Sequence, residues 1–229
     1  MHPSTRVLNG ADTRRRLWPA GMTPPVVTYA VTVLCGLIYL LELWNRRAVF
    51  SLLVDPLRDL PQTGWPSVLA ITLVHDYRSP MHIVFNLLAF LALGRVVEQA
   101  IGSIRYLLLL VALAWVSSSY QLGLEHAIGI GLSGVIYGVF GFMLGASRRN
   151  RIFRWYVSQN LRMMLGWAVL CVVLTHFNIL GVANTAHFSG LFFGAICGLA
   201  YSFPRYAPAL WVLAFGLAVA GPVLVARAA

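Results

Sequence analysis

Long apolar runs alternate with short polar segments along the chain, and seven such runs lie between residues 26 and 225. A helix needs about 20 apolar residues to cross a bilayer, so these runs predict a membrane protein of several spans. The fourth run is short for a span unless the loop before it is sunk into the protein. The predicted spans, with approximate bounds, are Val26–Trp44, Met81–Val97, Ile104–Leu122, Ser133–Ala146, Met163–Phe177, His187–Tyr201 and Pro208–Val225.

The segments outside the spans divide the chain. Residues 1–25 are basic and proline-containing, which indicates a cytoplasmic tail with no removable signal peptide. Residues 26–202 form the predicted membrane core, and residues 203–229 add a further C-terminal transmembrane helix. Between the first two spans, the runs Val49–Val54 and Val68–Val74 are too short to cross, and we interpret the first as a segment lying in the membrane interface.

Composition supports this all-α polytopic fold. Of the 229 residues, 59% are hydrophobic and 10% are charged, whereas a soluble domain carries about 25% charged residues. The net charge of +10 could suit a nucleic-acid partner, but all 17 basic residues are arginines in short clusters between apolar runs. That arrangement indicates orientation in a bilayer, so we exclude nucleic-acid binding. The thiols of Cys35, Cys171 and Cys197 fall in apolar runs and are interpreted as small packing groups.

Arginine positions predict the topology. With the N-terminus inside, the cytoplasmic segments carry Arg6, Arg14, Arg15, Arg16, Arg95, Arg105, Arg148, Arg149, Arg151, Arg154, Arg162 and Arg205, against Arg46, Arg47, Arg58, Arg78 and Arg227 outside. This agrees with the positive-inside rule. The loops before Ser133 and His187 carry no arginine, which places both residues near the outer face. We expect an integral protein of a bacterial inner membrane with a cytoplasmic N-terminus.

Polar side chains within spans are costly and are typical of functional sites. His82 and Asn86 are four residues apart and share a helix face, as do Ser133 and Tyr137. His187 opens the sixth span. All of these residues lie at the outer ends of their spans, so they can occupy one layer.

Glycine spacing suggests how they meet. Small residues four apart let membrane helices approach closely, which would bring a serine within about 2.6–3.2 Å of an imidazole. The fourth span has such a stripe, and His187 continues another on the sixth. The stripes comprise Gly134, Gly138, Gly141 and Gly145 on one span and Gly190, Gly194 and Gly198 on the other.

Four ordered motifs resemble those of the rhomboid family of intramembrane serine proteases. The segment Met81–Asn86 resembles its His-x-x-x-Asn motif, and Gly94–Glu98 its Gly-x-x-x-Glu motif. The segment Gly131–Gly138 resembles the nucleophile motif, and Ala186–Gly194 resembles the base motif. The similarity extends over about residues 74–201.

This resemblance implies a six-helix core, to which the last span adds a seventh helix. It implies Ser133 as nucleophile, His187 as general base, Tyr137 as the residue orienting the base, and an oxyanion hole of His82, Asn86 and the Ser133 backbone N–H. The fifth and sixth spans contain no acidic residue, which favours a Ser-His dyad over a triad. The expected partners are single-span membrane substrates and the lipid bilayer, with no cofactor and no metal.

Two acidic residues are given structural interpretations. Glu98 is expected to pair with Arg95 or Arg105, and Glu42 is expected to reach the lipid headgroups. The chain has no Trp-Arg pair between Trp44 and His82, unlike the first outer loop of many rhomboids.

Two alternatives remain. One is a non-proteolytic rhomboid relative that binds or traffics membrane clients. The other is a metal or transport protein built on His82, His126 and His187, although the chain has no His-Glu-x-x-His motif and no paired halves of the kind that transporters show.

Overall fold

The computed structural model describes residues 24–59 and 64–228, and within these ranges the regular structure is helical. The predicted N-terminal tail falls almost wholly outside them. Short 3₁₀ helices occur at Asp55–Asp59 and Ile71–Leu73. The α-helices are α1 Val26–Leu53, α2 Trp65–Ala70, α3 Pro80–Ile101, α4 Ser103–Glu125, α5 Ser133–Ala146, α6 Arg151–His176, α7 Asn184–Ser202 and α8 Ala207–Ala228.

The prediction of an all-α polytopic membrane fold is confirmed. Among the described residues, five helices have the length and hydropathy of membrane spans, namely α1, α3, α4, α6 and α8. Helix α5 is apolar but only 14 residues long. Helix α7 has 19 residues, and the polar residues in its first turn, including Asn184 and His187, lower its hydropathy. The two helices that carry the predicted nucleophile and base are therefore the ones that resemble ordinary spans least.

Helix α6 begins earlier than predicted. Its first residue is Arg151 rather than Met163, because the Asn150 side chain accepts hydrogen bonds from the Ile152 and Phe153 N–H groups, at 2.9 and 3.3 Å. These are free backbone donors of a helix start. Arg151, Arg154 and Arg162, which lie before the predicted start of this span, are thus part of the helix.

Helices α5 and α7 form the centre of the molecule through direct backbone contact. A Cβ added at Gly194 would collide with the Gly138 carbonyl oxygen, and one at Gly190 would collide with the Gly134 carbonyl oxygen. Gly141 and Gly198 meet carbonyl oxygens of the opposite helix in the same way. No side chain fits between such surfaces, so the two helices lie in direct backbone contact at these glycines.

Gly138 corrects one detail of the prediction made from glycine spacing. Its missing Cβ points at the Leu113 side chain of α4, not at α7. Gly138 contributes its carbonyl oxygen to the α7 contact, whereas its open side accommodates α4. A larger residue at Gly138 would therefore displace α4 first, whereas one at Gly194 would separate α5 from α7.

The outer connection between α1 and α3 has a small core of its own. Helix α1 is kinked at Asn45, with φ −144° and ψ 76°, and the Asn45 side chain accepts a hydrogen bond from the Ala48 N–H at 3.1 Å. The segment predicted to lie in the interface is the last part of this helix. Seven buried residues form the core: Ile38, Val49, Val54, Leu57, Val68, Ile71 and Val74.

This connection ends where α3 begins. Pro80 is the first residue of α3, and the Ser79 side chain before it makes no capping hydrogen bond. The guanidinium of Arg46 lies 4.5 Å from the Phe50 ring centroid and 4.6 Å from that of Tyr77, which ties the end of α1 to the approach to α3.

The expectation for Glu98 is wrong. This side chain is 2% exposed and accepts hydrogen bonds from the Val27 and Thr28 N–H groups at 2.9 and 2.8 Å. The hydroxyls of Thr28 and Ser103 donate to it as well, each at 2.7 Å. Glu98 thus satisfies the free N–H groups at the start of α1, where a negative charge is favourable. Its partners are backbone and hydroxyl donors, not arginine.

The expectation for Glu42 is also wrong. Its side chain is 1% exposed, and neither carboxylate oxygen has a hydrogen-bond partner within residues 24–59 and 64–228. The outer connection folds over this face of α1, so Glu42 does not reach the headgroups.

Helix α8, which corresponds to the predicted seventh span, is joined to α4 by a polar contact as well as by packing. Pro222 lies inside α8 and has no N–H, so the carbonyl of Ala218, one turn earlier, loses its usual donor. The Trp115 indole N–H of α4 donates to that carbonyl at 3.0 Å. A helix-breaking residue in α8 therefore creates the acceptor that attaches the helix to α4.

Candidate active site

Ser133 and His187 are brought together by the close approach of their helices. Each lies in the first turn of its helix, α5 or α7. The Ser133 Oγ is 2.7 Å from the His187 Nε2, within the range of a nucleophile and its base. His187 is 4% exposed, whereas Ser133 is partly accessible. A buried imidazole next to an accessible hydroxyl is able to accept the hydroxyl proton as the oxygen attacks a carbonyl.

Tyr137 stacks on the imidazole of His187. The ring centroids are 4.6 Å apart and the planes differ by 13°. With Nε2 accepting from Ser133, the ring proton lies on Nδ1, and this atom has no hydrogen-bond partner among the described residues. No described carboxylate therefore binds this ring nitrogen, and Tyr137 covers one face of the ring.

His82 lies beside the segment that precedes the nucleophile. Its Nε2 would be 2.8 Å from a Cβ added at Gly131, two residues before Ser133. Its Nδ1 accepts a hydrogen bond from the Asp76 backbone N–H at 3.2 Å. The remaining ring proton is thus on Nε2, so His82 presents a hydrogen-bond donor on the side of Gly131.

Asn86 lies one turn further along α3. Its side-chain amide donates to the His82 carbonyl oxygen at 2.7 Å, and its Oδ1 has no partner among the described residues. An amide group has two N–H donors, so one remains for another acceptor. The structure places Asn86 beside His82, and no hydrogen bond joins it to Ser133.

Sequence reasoning missed His75, which is fully buried in the outer connection. Its Nε2 accepts the Leu132 N–H at 3.4 Å, and its Nδ1 lies 3.1 Å from the Leu73 carbonyl oxygen. Burial, reinforced by the neighbouring His82, lowers the pKa of His75 to about 4, so the ring is neutral at physiological pH. His75 belongs to no recognised motif and to no predicted span.

Gln121 was missed as well. Its side-chain oxygen accepts the Ala186 N–H at 3.1 Å, immediately before His187. Nearby, the Thr185 hydroxyl donates to Glu125 at 2.7 Å. Both contacts join the outer end of α4 to the start of α7. Gln121 is a polar residue near the end of a predicted span, and this position was the feature of the sequence that could have identified it.

A metal centre would require several ligating side chains close together. Within the ranges that the structure describes, no three His, Cys, Asp or Glu side chains come together as a possible metal-binding group. The alternative based on His82, His126 and His187 therefore has no clustered ligand set to support it.

The fold is that of a polytopic membrane protein, and one serine–histidine pair lies in hydrogen-bond contact within it. Comparison with known proteins gives the family. The Rhomboid domain profile matches residues 62–203, and the chain belongs to the rhomboid family. The prediction that the chain is a rhomboid-type serine protease is thereby confirmed.

Several relatives are rhomboid proteases called GlpG. The protein of Haemophilus influenzae is 30% identical over 173 residues, which cover 75% of this chain and 88% of the relative. That of Pectobacterium atrosepticum is 30% identical over 80% of this chain and 63% of its own length. That of Yersinia pseudotuberculosis serotype I is 31% identical over 74% of this chain and 60% of its own length. The chain thus spans less than two thirds of the latter two relatives.

Proposed function

We propose that this rhomboid-family protein is an intramembrane endopeptidase that cleaves single-span membrane proteins through a Ser133–His187 dyad. The observation that carries the proposal is the 2.7 Å contact between Ser133 Oγ and His187 Nε2. The names of the relatives, rhomboid proteases, support peptide hydrolysis as the reaction.

The chemistry begins with attack by Ser133 on the scissile carbonyl carbon. His187 Nε2 takes the hydroxyl proton as the new C–O bond forms, and the carbonyl oxygen becomes an oxyanion. The Nε2–H of His82, the free amide hydrogen of Asn86 and the Ser133 backbone N–H are the proposed donors to that oxygen. A single donor of this kind is commonly worth about 2.7–4 kcal/mol of transition-state stabilisation.

Collapse of the tetrahedral intermediate breaks the C–N bond. His187 returns the proton to the leaving amine, and the acyl group stays on the Ser133 oxygen. Water then attacks the ester carbonyl while His187 accepts one of its protons. The second collapse transfers that proton to the Ser133 oxygen and releases the carboxylic acid product.

Substrate entry is proposed between α3 and α6. These helices do not form a continuous packed interface, and they meet through the Phe85 and Trp167 rings, whose centroids are 6.1 Å apart. A transmembrane substrate has its backbone groups satisfied within its own helix, so the scissile segment must unwind before attack. We therefore expect small, helix-destabilising residues at the cleavage site.

The arginine distribution supports a cytoplasmic N-terminus and an active site near the outer face of a bacterial inner membrane. A reporter enzyme fused after Ala229 should lie on the outer side, whereas one inserted in the turn between α7 and α8 should lie in the cytoplasm, and this contrast tests the topology.

The test of the chemistry uses the purified protein in liposomes with a fluorogenic single-span substrate. Ser133→Ala and His187→Ala should each abolish cleavage. Ser189→Ala is the matched control, because Ser189 lies on α7 half a turn from the base and donates only to backbone carbonyls of its own helix, those of Thr185 and Ala186. Cleavage by the Ser133→Ala variant would refute the assignment of Ser133 as the nucleophile.

A fluorophosphonate probe separates the peptidase from a non-proteolytic relative. The peptidase should be labelled at Ser133 and should lose labelling in His187→Ala. A folded wild-type protein that neither cleaves nor labels would favour the client-binding alternative.

A further inference from the structure

The short stretch Ile71–Asp76, here called the bridging segment, contacts two parts of the candidate site at once. The Ile71 carbonyl oxygen accepts the Gly131 N–H at 3.1 Å. The His75 side chain accepts the Leu132 N–H at 3.4 Å. The Asp76 N–H donates to His82 Nδ1 at 3.2 Å. One segment of the outer connection thus binds the two residues before Ser133 and the imidazole proposed to face the oxyanion.

The tautomer of His75 follows from its two contacts. The Leu73 carbonyl oxygen can only accept, so the His75 Nδ1 at 3.1 Å carries the ring proton and donates it. The Nε2 is then an acceptor and is able to take the Leu132 N–H. An unsatisfied buried N–H typically costs about 1–3 kcal/mol, so the loop before α5 is most stable when Leu132 faces His75.

The peptide between Gly131 and Leu132 is held between two imidazoles. Gly131 has a φ of +105°, and an added Cβ would lie 2.8 Å from His82 Nε2 and 3.7 Å from His75 Cδ2. The two imidazole centroids are 5.2 Å apart. Only glycine fits this conformation and this gap without strain. Helix α5 starts at the next residue, Ser133, so the position of this peptide fixes the entry of the nucleophile helix.

We propose that His75 is a positioning residue, which holds the Gly131–Leu132 peptide against His82. In this position Ser133 can attack the carbon of a substrate carbonyl group while His82 donates a hydrogen bond to the oxygen of the same group. The proposal rests on the peptidase function proposed above. His75 acts through Leu132 and touches no reacting atom. A displacement of about 1 Å in such a supporting contact can reduce turnover about 100-fold.

The decisive variants differ in hydrogen-bonding capacity. His75→Gln offers an amide oxygen for the Leu132 N–H and an amide N–H for the Leu73 carbonyl, whereas His75→Leu offers neither. Thr72→Val is the matched control, because Thr72 is 5% exposed in the same segment and its hydroxyl donates only to the nearby Leu69 carbonyl at 2.7 Å. All three variants alter one buried polar side chain of the bridging segment.

Steady-state cleavage and thermal unfolding are measured for each folded protein. We expect His75→Leu to lose about 100-fold in kcat with KM within about 3-fold of the wild type, as for an interaction that matters in the transition state. His75→Gln should recover most of the lost kcat. Thr72→Val should keep the wild-type kcat even where its Tm falls. A His75→Leu enzyme with wild-type kcat, or a His75→Gln enzyme no better than it, would overturn the proposal.

Hydrogen exchange at the Leu132 amide provides a readout that does not need cleavage. Protection should be lost in His75→Leu and kept in His75→Gln and Thr72→Val. If the wild-type protein neither cleaves nor labels, the proposed function fails, but this measurement still decides whether His75 holds the peptide. Equal protection in the wild type and His75→Leu would contradict the inference directly.

Discussion

The α5–α7 contact and the α3–α6 contact border the same site but are built in opposite ways. At the first, Gly190 and Gly194 lie against backbone carbonyl oxygens of the facing helix. At the second, Phe85 and Trp167 are 51% and 47% exposed and meet only at the edge of the site. The proposed nucleophile and base therefore lie on two helices in direct backbone contact, whereas the helix carrying His82 borders an open side. Substrate entry at this open side, as proposed above, would not separate Ser133 from His187.

The largest effect should come from separating α5 from α7. In Gly194→Leu the new side chain has no space against the Gly138 carbonyl, so we expect loss of all cleavage and of fluorophosphonate labelling. Gly166→Leu is the control, since a Cβ added at Gly166 of α6 meets no atom within 4 Å. Wild-type activity in Gly194→Leu would show that the close contact is not required.

The next effect tests how the inner end of α3 is anchored. Glu98→Ala leaves four buried or partly buried donors without their acceptor, and we expect the free energy of unfolding to fall by about 4 kcal/mol. Glu125→Ala, which removes one exposed hydrogen bond to Thr185, should cost less than about 1 kcal/mol. Chemical denaturation of the two variants compares them. Similar losses would show that Glu98 is not the main anchor.

A third effect concerns how the stability of the protein depends on pH through His75, which lies in the outer connection just before α3. The pKa of His75 is lowered from 6.5 to about 4 by burial and by the nearby His82. The His75 imidazole therefore binds a second ring proton more readily in the unfolded chain than in the folded protein. As a result, the free energy of unfolding is highest above about pH 6.5 and falls by about 3 kcal/mol as the pH is lowered towards 4. His75→Gln does not titrate. Its stability relative to the wild type should therefore improve by about that amount between pH 7 and pH 4, measured as unfolding free energy, and a constant difference would contradict the prediction.

The smallest effect should come from the open side. Trp167→Ala removes the ring contact with Phe85, a pair worth about 0.5–1.5 kcal/mol, so the protein should stay folded and cleave a single-span substrate faster. Trp155→Ala is the control on the same helix, because the ring contact of Trp155 is with its neighbour Tyr156 of α6. A slower Trp167→Ala enzyme would indicate that the contact shapes the site and does not limit entry.

The predictions from sequence succeeded where a local pattern determined the structure. Apolar runs located the spans, because burial in a bilayer imposes length and hydropathy on each helix separately. Glycine spacing indicated a close approach of α5 and α7, because a helix presents every fourth residue on nearly the same face. It did not reveal that Gly138 faces Leu113 of α4, because spacing alone does not show which neighbour covers each face.

The errors at Glu98 and Glu42 have a common cause. Opposite charge suggested arginine partners for Glu98, but its partners include the N–H groups of Val27 and Thr28, about 70 residues away. Glu42 was expected at the headgroups, and the folding of the outer connection buries it. Hydrogen bonds from distant backbone groups, as at Glu98, and burial beneath a distant segment, as at Glu42, leave no mark in the residue types.

The sequence by itself determined the class of fold, the approximate spans, the family resemblance and the residues that could carry the chemistry, since these depend on hydropathy, spacing and motif. Only the tertiary structure decided the 2.7 Å contact between Ser133 and His187, the stacking of Tyr137 and the link from His75 to Leu132. These contacts depend on the distances between segments far apart in the chain, which are set when the glycine faces and the outer connection pack together.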